Sequence, residues 1–425
     1  MAERETARRA TGLLPGHSYG LGAGSGCALF HPARRSALDF PPPSPNLTCA
    51  SKPPALAGTA FPGAVPVKVF HCDACGNQVF FESVECVRCG AALGFLPDIH
   101  EISALEPVLN GHWQAAAAAA RQRLYRSCRN GEQHRLCNWL VRAEDTSPYC
   151  LACRLNDVIP NLAIRGNRER WRKLEAAKRR MVYTLLRLGL PMNGVADENR
   201  PALRFRFLGN PVFGQTALTG HRGGAITVDI AEADDEERER RRVYLHEPFR
   251  TLLGHLRHEI AHYYWDQLIS WTPRLTRFRE LFGNEEWDYD TALGQFYQQG
   301  PAPDWQRRHI SAYASAHPWE DWAETWAHYL HIIDTVETAN SFGITLNPDH
   351  LPPADRPPDP IAADLDTPLD RVLEQWLPLT CALNSLNRGM GLPDLYPFLL
   401  SGPAIEKLQF VHEVVQAKRR PPVAG

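Results

Sequence analysis

No run of apolar residues approaches the ~18 to 20 that a membrane-spanning helix requires. The most uniform stretch is Ala115 to Ala120, so no membrane role is expected. An excess of either charge is also missing. Lys and Arg number 46 against 48 Asp and Glu, a formal charge of −2 that gives no general attraction to nucleic acid or to anionic lipid. The first residues include arginines, but Gly12 to Gly26 is broken by glycines and by Pro15 and lacks the continuous apolar core of a secretion signal. The expectation is a cytoplasmic protein whose cysteines stay reduced. Compositional bias is absent too, with 44% hydrophobic and 22% charged residues, and 425 residues at ~150 per domain imply two or three folded units.

Organisation changes along the chain. Residues 1–66 hold ten prolines and eight glycines with no sustained periodicity, the composition of a disordered tail. Residues 67–160 combine short apolar segments with many turn residues and eight of the eleven cysteines, which calls for metal to supplement a small core. From residue 161 onward helical periodicity dominates. Arg168 to Leu190 carries Trp171, Leu174, Met181, Leu185 and Leu188 on one stripe and basic residues on the other. Strands are expected at Leu203 to Leu208 and Ala225 to Ile230, the latter as a possible sheet edge for an extended peptide, with the charged run Asp234 to Arg242 as a solvated turn or helix start. Further helices are expected over Phe249 to Ile269 with Pro248 at its start, from Pro318 past Ile333, and over roughly 367–387 and 403–418, the last pair following a proline-rich linker, Leu351 to Thr367. The fold class is α+β.

Cys72, Cys75, Cys86 and Cys89 form two Cys-x-x-Cys pairs, each followed by glycine, at Gly76 and Gly90. Two such knuckles supply four tetrahedral thiolates for a structural zinc. A redox pair would need one Cys-x-x-Cys in a βαβ setting, which is not seen. Cys128, Cys137, Cys150 and Cys153 form a second set with one knuckle spacing, a candidate second structural zinc in which His134 could replace a cysteine. Cys27, Cys49 and Cys381 read as bystanders. Over residues 67–160 nine Lys and Arg face ten Asp and Glu, which provides no counterion-release drive toward nucleic acid.

His258-Glu259-Ile260-Ala261-His262 places two imidazoles one helical turn apart, able to reach one zinc, with Glu259 placed as general base for a zinc-activated water. A catalytic zinc needs a third protein ligand and an open position. Position 268 is Leu and 265 is Trp, which excludes a third histidine in the metzincin arrangement. Glu320 and Glu324, one turn apart among Trp319, Trp322 and Trp326, are acidic groups close to an apolar helix face and require a cation or donor. Glu320 is assigned as third ligand and Glu324 as acceptor of the ring N–H of a ligand histidine, taken as His258; the two glutamates can exchange these roles. His255 reads as a helix-surface or substrate-contact residue.

With these segments in hand, the region from Val67 onward resembles the bacterial family of zinc-binding metallopeptidases that carry an amino-terminal zinc ribbon. The segments that carry the resemblance are Cys72 to Cys89, Cys128 to Cys153, Arg250 to His262 and Tyr313 to Glu324. The second half is more distantly similar to the gluzincins that include anthrax lethal factor. The resemblance implies a zincin-like, mainly helical peptidase domain with a small sheet, one catalytic zinc, one or two structural zincs, and a peptide or protein substrate. It also implies that Tyr313 donates to the oxyanion. The competing expectation is a zinc-stabilised protein-binding scaffold with an inactive peptidase-like domain.

Overall fold

The structure, a computed structural model, describes residues 69–192, 201–209, 219–244, 251–346 and 366–419. The expected tail at 1–66, Cys27, Cys49, Pro248 and residues 351–365 of the expected linker lie outside the described residues.

The cysteine-rich region opens with the two-stranded ribbon β1 (Phe70–His71) and β2 (Gln78–Val79). A five-stranded antiparallel meander follows, made of β3 (Ala92–Leu96), β4 (Glu101–Val108), β5 (His112–Ala115), β6 (Leu124–Ser127) and β7 (Leu140–Arg142). The short helix α1 (Arg129–His134) sits between β6 and β7. This sheet was not legible as strands, because its segments lack clean alternation. Ala115 ends β5, and Ala118–Ala120 forms one 3-10 turn instead of extending an α-helix.

A second sheet has the order β10-β11-β9-β8, from β8 (Asn156–Val158), β9 (Arg204–Leu208), β10 (Gly220–Arg222) and β11 (Ala225–Asp229). β9 pairs in parallel with both β8 and β11, while β10 and β11 form an antiparallel hairpin. The strand expected at Ala225 to Ile230 is therefore interior. On that side the edge among the described residues is β10, because the hairpin through Gly223 and Gly224 folds one more strand outside it, and β8 is the edge on the other. Gly224 has φ of 76°, and a Cβ there would lie 2.7 Å from the Ala202 carbonyl oxygen, so the turn requires glycine.

The remainder is helical: α2 (Asn167–Arg187), α3 (Asp235–Tyr244), α4 (Leu252–Leu268), α5 (Arg274–Phe282), α6 (Tyr289–Gln299), α7 (Trp305–Arg308), α8 (Pro318–Ser341), α9 (Leu369–Gly389) and α10 (Gly402–Arg419). The charged run that was expected to be a solvated turn or helix start is the helix α3. Among the described residues no helix is long and apolar enough to cross a membrane. The chain is thus an α+β fold, small sheets around a zinc ribbon followed by a mainly helical domain.

Helices α2, α4 and α8 pack around a buried ion pair. The Arg257 guanidinium of α4 donates to Asp334 of α8, which also accepts the Thr184 hydroxyl of α2 at 2.9 Å. Breaking one side of such a pair would leave an uncompensated buried charge, which costs about 3 to 5 kcal/mol. The helices α4 and α8 are further pinned where Trp322 Nε1 donates to the Ala261 carbonyl at 2.8 Å. Ala261 and Ala323, both fully buried, let the two backbones approach.

The basic stripe expected on α2 is only partly solvated. Lys178 and Arg179 are buried, and Lys178 donates to Glu175 at 2.8 Å and to Asn156 of β8. One apolar core runs from Phe70 through the α2 face to α10, and Phe81 and Phe95 meet Tyr183 at ring distances of 5.3 and 5.8 Å.

Candidate metal centres and active site

Three clusters of potential metal ligands occur among the described residues, and each brings its donor atoms within 4.8 Å of one another. Two are the expected cysteine sets. In the first, Sγ atoms approach at 3.7 Å (Cys72 and Cys89) and 3.6 Å (Cys75 and Cys86). In the second, Cys137 and Cys150 are 3.6 Å apart. A disulfide would need ~2.05 Å, whereas four thiolates ~2.3 Å from one zinc in a tetrahedron stand ~3.8 Å apart. The spacing fits a tetrathiolate zinc site.

Local backbone chemistry forms the knuckles. Gly76 N–H donates to the Cys72 carbonyl and Gly90 N–H to that of Cys86, both at 2.8 Å, with φ of 70° and 72° at the two glycines. The neighbouring Cys89 N–H holds the Cys86 thiol down at about 6, favouring the thiolate a metal needs. In the second set, the Cys150 N–H points at Cys128 Sγ, and bonding from Cys137, Cys150 and Cys153 lowers the Cys128 thiol. His134 is not part of this cluster; its ring packs edge-on to Trp171 at 5.8 Å.

The third cluster is His258, His262 and Glu320. Thr251 caps α4 by accepting the Gly254 N–H at 2.9 Å. The helix then places His258 and His262 on one face, their ring centroids 5.2 Å apart. His317 caps α8, its Nδ1 accepting the Trp319 N–H, and Pro318 occupies the first helical position. Glu320 falls in the first turn, where the helix dipole favours its negative charge. Its carboxylate oxygens lie 2.9 Å from His258 Nε2 and 3.8 Å from His262 Nε2.

Glu320 Oε2 is buried with no hydrogen-bond partner despite that short approach, so the two atoms are not aligned as donor and acceptor. Atoms aimed at a shared point between them would have this geometry. Burial raises the Glu320 carboxyl, but His258, His262 and Tyr289 outweigh it and hold it down at about 2. Burial likewise opposes charge on His258, yet Glu320 and Glu324 push its pKa well above the imidazole range. The cluster demands positive charge, and a divalent cation meets that demand as the proton does in its absence. Two imidazoles and one carboxylate are a donor set that suits zinc.

Behind these donors, Glu324 Oε1 accepts from His258 Nδ1 at 2.7 Å, and Glu324 Oε2 accepts the Ser311 hydroxyl at 2.6 Å. Tyr289 was not anticipated from sequence. Its hydroxyl, carried on α6, donates to Glu320 Oε1 at 2.6 Å. Tyr313 lies in a 3-10 turn before α8, with its ring centroid 5.9 Å from that of His258 and 5.7 Å from that of Phe296. Glu259 is buried, and its Oε1 is 3.1 Å from His255 Nε2. His255 was expected on the helix surface or against substrate. Instead it lies between Glu259 and the buried Glu232, whose Oε2 is 2.5 Å from His255 Nδ1. His221 of β10 lies parallel to His262 at 6.4 Å, and burial lowers its pKa to about 4.

The zinc-ribbon domain family matches residues 69–164, and the family described as "Putative zinc-binding metallo-peptidase" matches residues 167–414. Uncharacterized proteins of Mycobacterium tuberculosis and Mycobacterium bovis are each 38% identical over 353 residues, covering 81% of this chain and 94% of the relative. No solved structure matches it. With both family matches spanning nearly all described residues, the chain belongs to the zinc-binding metallo-peptidase family and carries an amino-terminal zinc-ribbon domain.

Proposed function

We propose that this chain hydrolyses peptide bonds, with His258, His262 and Glu320 holding a catalytic zinc and Glu259 acting as general base. The observation that carries the reading is the meeting of the His258 and His262 face of α4 with Glu320 in the first turn of α8, beside a buried Glu259. The two four-cysteine sets would hold structural zincs.

Zinc bound there supplies Lewis acidity, lowering the pKa of water toward neutrality and polarising a carbonyl. The protein's side chains manage protons and orientation. Glu259 takes a proton from the attacking water on the carboxylate oxygen that does not face His255, then delivers it to the leaving amine nitrogen. Its burial raises its proton affinity, but His255, His258 and His262 more than offset this and keep it ionised and ready to accept. Glu324 takes the Nδ1–H of His258, which leaves Nε2 as a donor atom for metal. The Tyr313 hydroxyl is assigned to the developing oxyanion, for which its place beside His258 provides the opportunity. Glu320 as ligand and Glu324 behind His258 is favoured over the reverse because Glu320 approaches both Nε2 atoms whereas Glu324 meets Nδ1.

The deciding experiment compares wild type with Glu259→Gln on a mixed peptide library. Wild type should cleave and the variant should be slower by about 10² to 10⁴-fold with unchanged zinc content. Cleavage by both proteins, or by neither, would reject the proposal.

A further inference from the structure

Outside the metal donors, the most organised group near the site is a chain of four polar side chains: Thr219 and His255, both half-buried, and Glu232 and Glu259, both buried. The Thr219 hydroxyl donates to Glu232 Oε1 at 2.7 Å, and Glu232 Oε2 faces His255 Nδ1 at 2.5 Å. On the other side of the ring, His255 Nε2 faces Glu259 Oε1 at 3.1 Å. Glu232 is 1% exposed, a level at which a carboxylate is kept only with strong partners. It stands in a 3-10 turn directly after β11, whose last residue, Asp229, caps the turn by accepting the Ala231 N–H. The sheet that flanks the site thus fixes Glu232, and Glu232 fixes the ring.

We propose that His255 is a positioning residue for the base: held by Glu232 through Nδ1, it donates through Nε2 to Glu259 and aims the other carboxylate oxygen of Glu259 at the reacting water. This rests on the peptidase reading above. An imidazole with a carboxylate oxygen at each nitrogen donates from both, so it offers no lone pair and is unavailable as a metal ligand. Its contribution is orientational. A glutamate side chain has three rotatable bonds, and tying one oxygen fixes where the second points, without contact between His255 and the substrate. Residues that orient catalytic groups in this way typically cost 10 to 100-fold when removed.

The test uses the zinc-loaded full chain. His255→Leu should lower kcat by about 10 to 100-fold, with KM within about twofold and the zinc content unchanged. His255→Gln, which keeps an N–H donor, should recover part of that loss. Glu232→Gln combined with His255→Leu should be no slower than His255→Leu alone, because Glu232 acts through the ring. An unchanged kcat in an active His255→Leu protein, a loss confined to KM, or fully additive losses would overturn the proposal. Nitrogen-15 NMR of the histidine rings supplies a readout independent of turnover. Both His255 nitrogens should carry protons in wild type, with Nε2 perturbed by Glu259→Gln and Nδ1 by Glu232→Gln. A His255 bearing a single proton would overturn the proposal even if wild type cleaves nothing. Failure of cleavage by wild type itself sinks only the peptidase reading.

Discussion

Glu320 and Glu324 are one turn apart on the same helix, yet they should behave very differently when truncated. The His258 Nδ1 to Glu324 Oε1 bond of 2.7 Å is a charge-assisted contact in a buried setting, and Ser311 donates to the other oxygen. Glu324→Ala leaves the ring N–H and the serine hydroxyl without that acceptor. An unsatisfied buried donor costs about 1 to 3 kcal/mol. To the extent that this cost falls on the zinc-loaded state, it lowers affinity for the ion. At ~1.4 kcal/mol per factor of ten, the zinc affinity of the catalytic site should drop roughly 5 to 150-fold. Glu320→Ala deletes a donor atom outright and should abolish retention of that ion. Competition with a graded series of chelators, read against the ions held by cysteine, measures both. Wild-type affinity in Glu324→Ala would refute the bonding argument, and the opposite order of the two variants would refute the assignment.

Other consequences can be checked separately. Metal analysis should find three zinc ions per chain, with one released readily by chelators, and Cys153→Ser should remove one of the retained pair while leaving the labile ion. Tyr289→Phe removes the donor 2.6 Å from Glu320 Oε1 and should weaken the labile site by about 10 to 100-fold without changing the others, by the same chelator assay. Burial pushes Asp266 up to about 6. The folded carboxyl then binds its proton more tightly than the unfolded one at ~3.9, so stability is full below pH 4 and falls as pH rises to about 6. Asp266→Asn should raise the melting temperature at pH 7.5, by up to ~3 kcal/mol of stability, and have little effect at pH 4. Equal shifts at both pH values would contradict the burial argument.

What was legible in the chain follows from the range of each interaction. The His258 and His262 pair is a local property of one helix. Cysteine spacing likewise encodes its knuckles locally. Glu320 could be found at a distance because an acidic group among three tryptophans had no other evident partner. Tyr289 could not, since nothing in its own segment distinguishes it from Tyr297; its role exists only where α6 meets α8. Glu232 was passed over beside the charged run that became α3, although Ile230, Ala231 and Ala233 around it hinted at burial. The basic stripe of α2 misled for a related reason. Arg179 is 5% exposed, and despite burial its charge is favoured by Cys137, Glu175 and Cys153. Amphipathic counting assigns charges to water and cannot see that a neighbouring thiolate cluster supplies the counter-charge.

The short strand β8 follows the last cysteine of the ribbon almost at once and hydrogen-bonds to β9, on the opposite side of the sheet from the His221 hairpin. Excising the helical half at residue 161 would therefore strip the border from that sheet. The backbone N–H and C=O groups of Arg204–Leu208 would then stand open to another copy, and Lys178 would lose its Asn156 acceptor. The ribbon is a hem stitched to the fabric it edges, and a catalytic fragment cut free of it would tend to fray into aggregates.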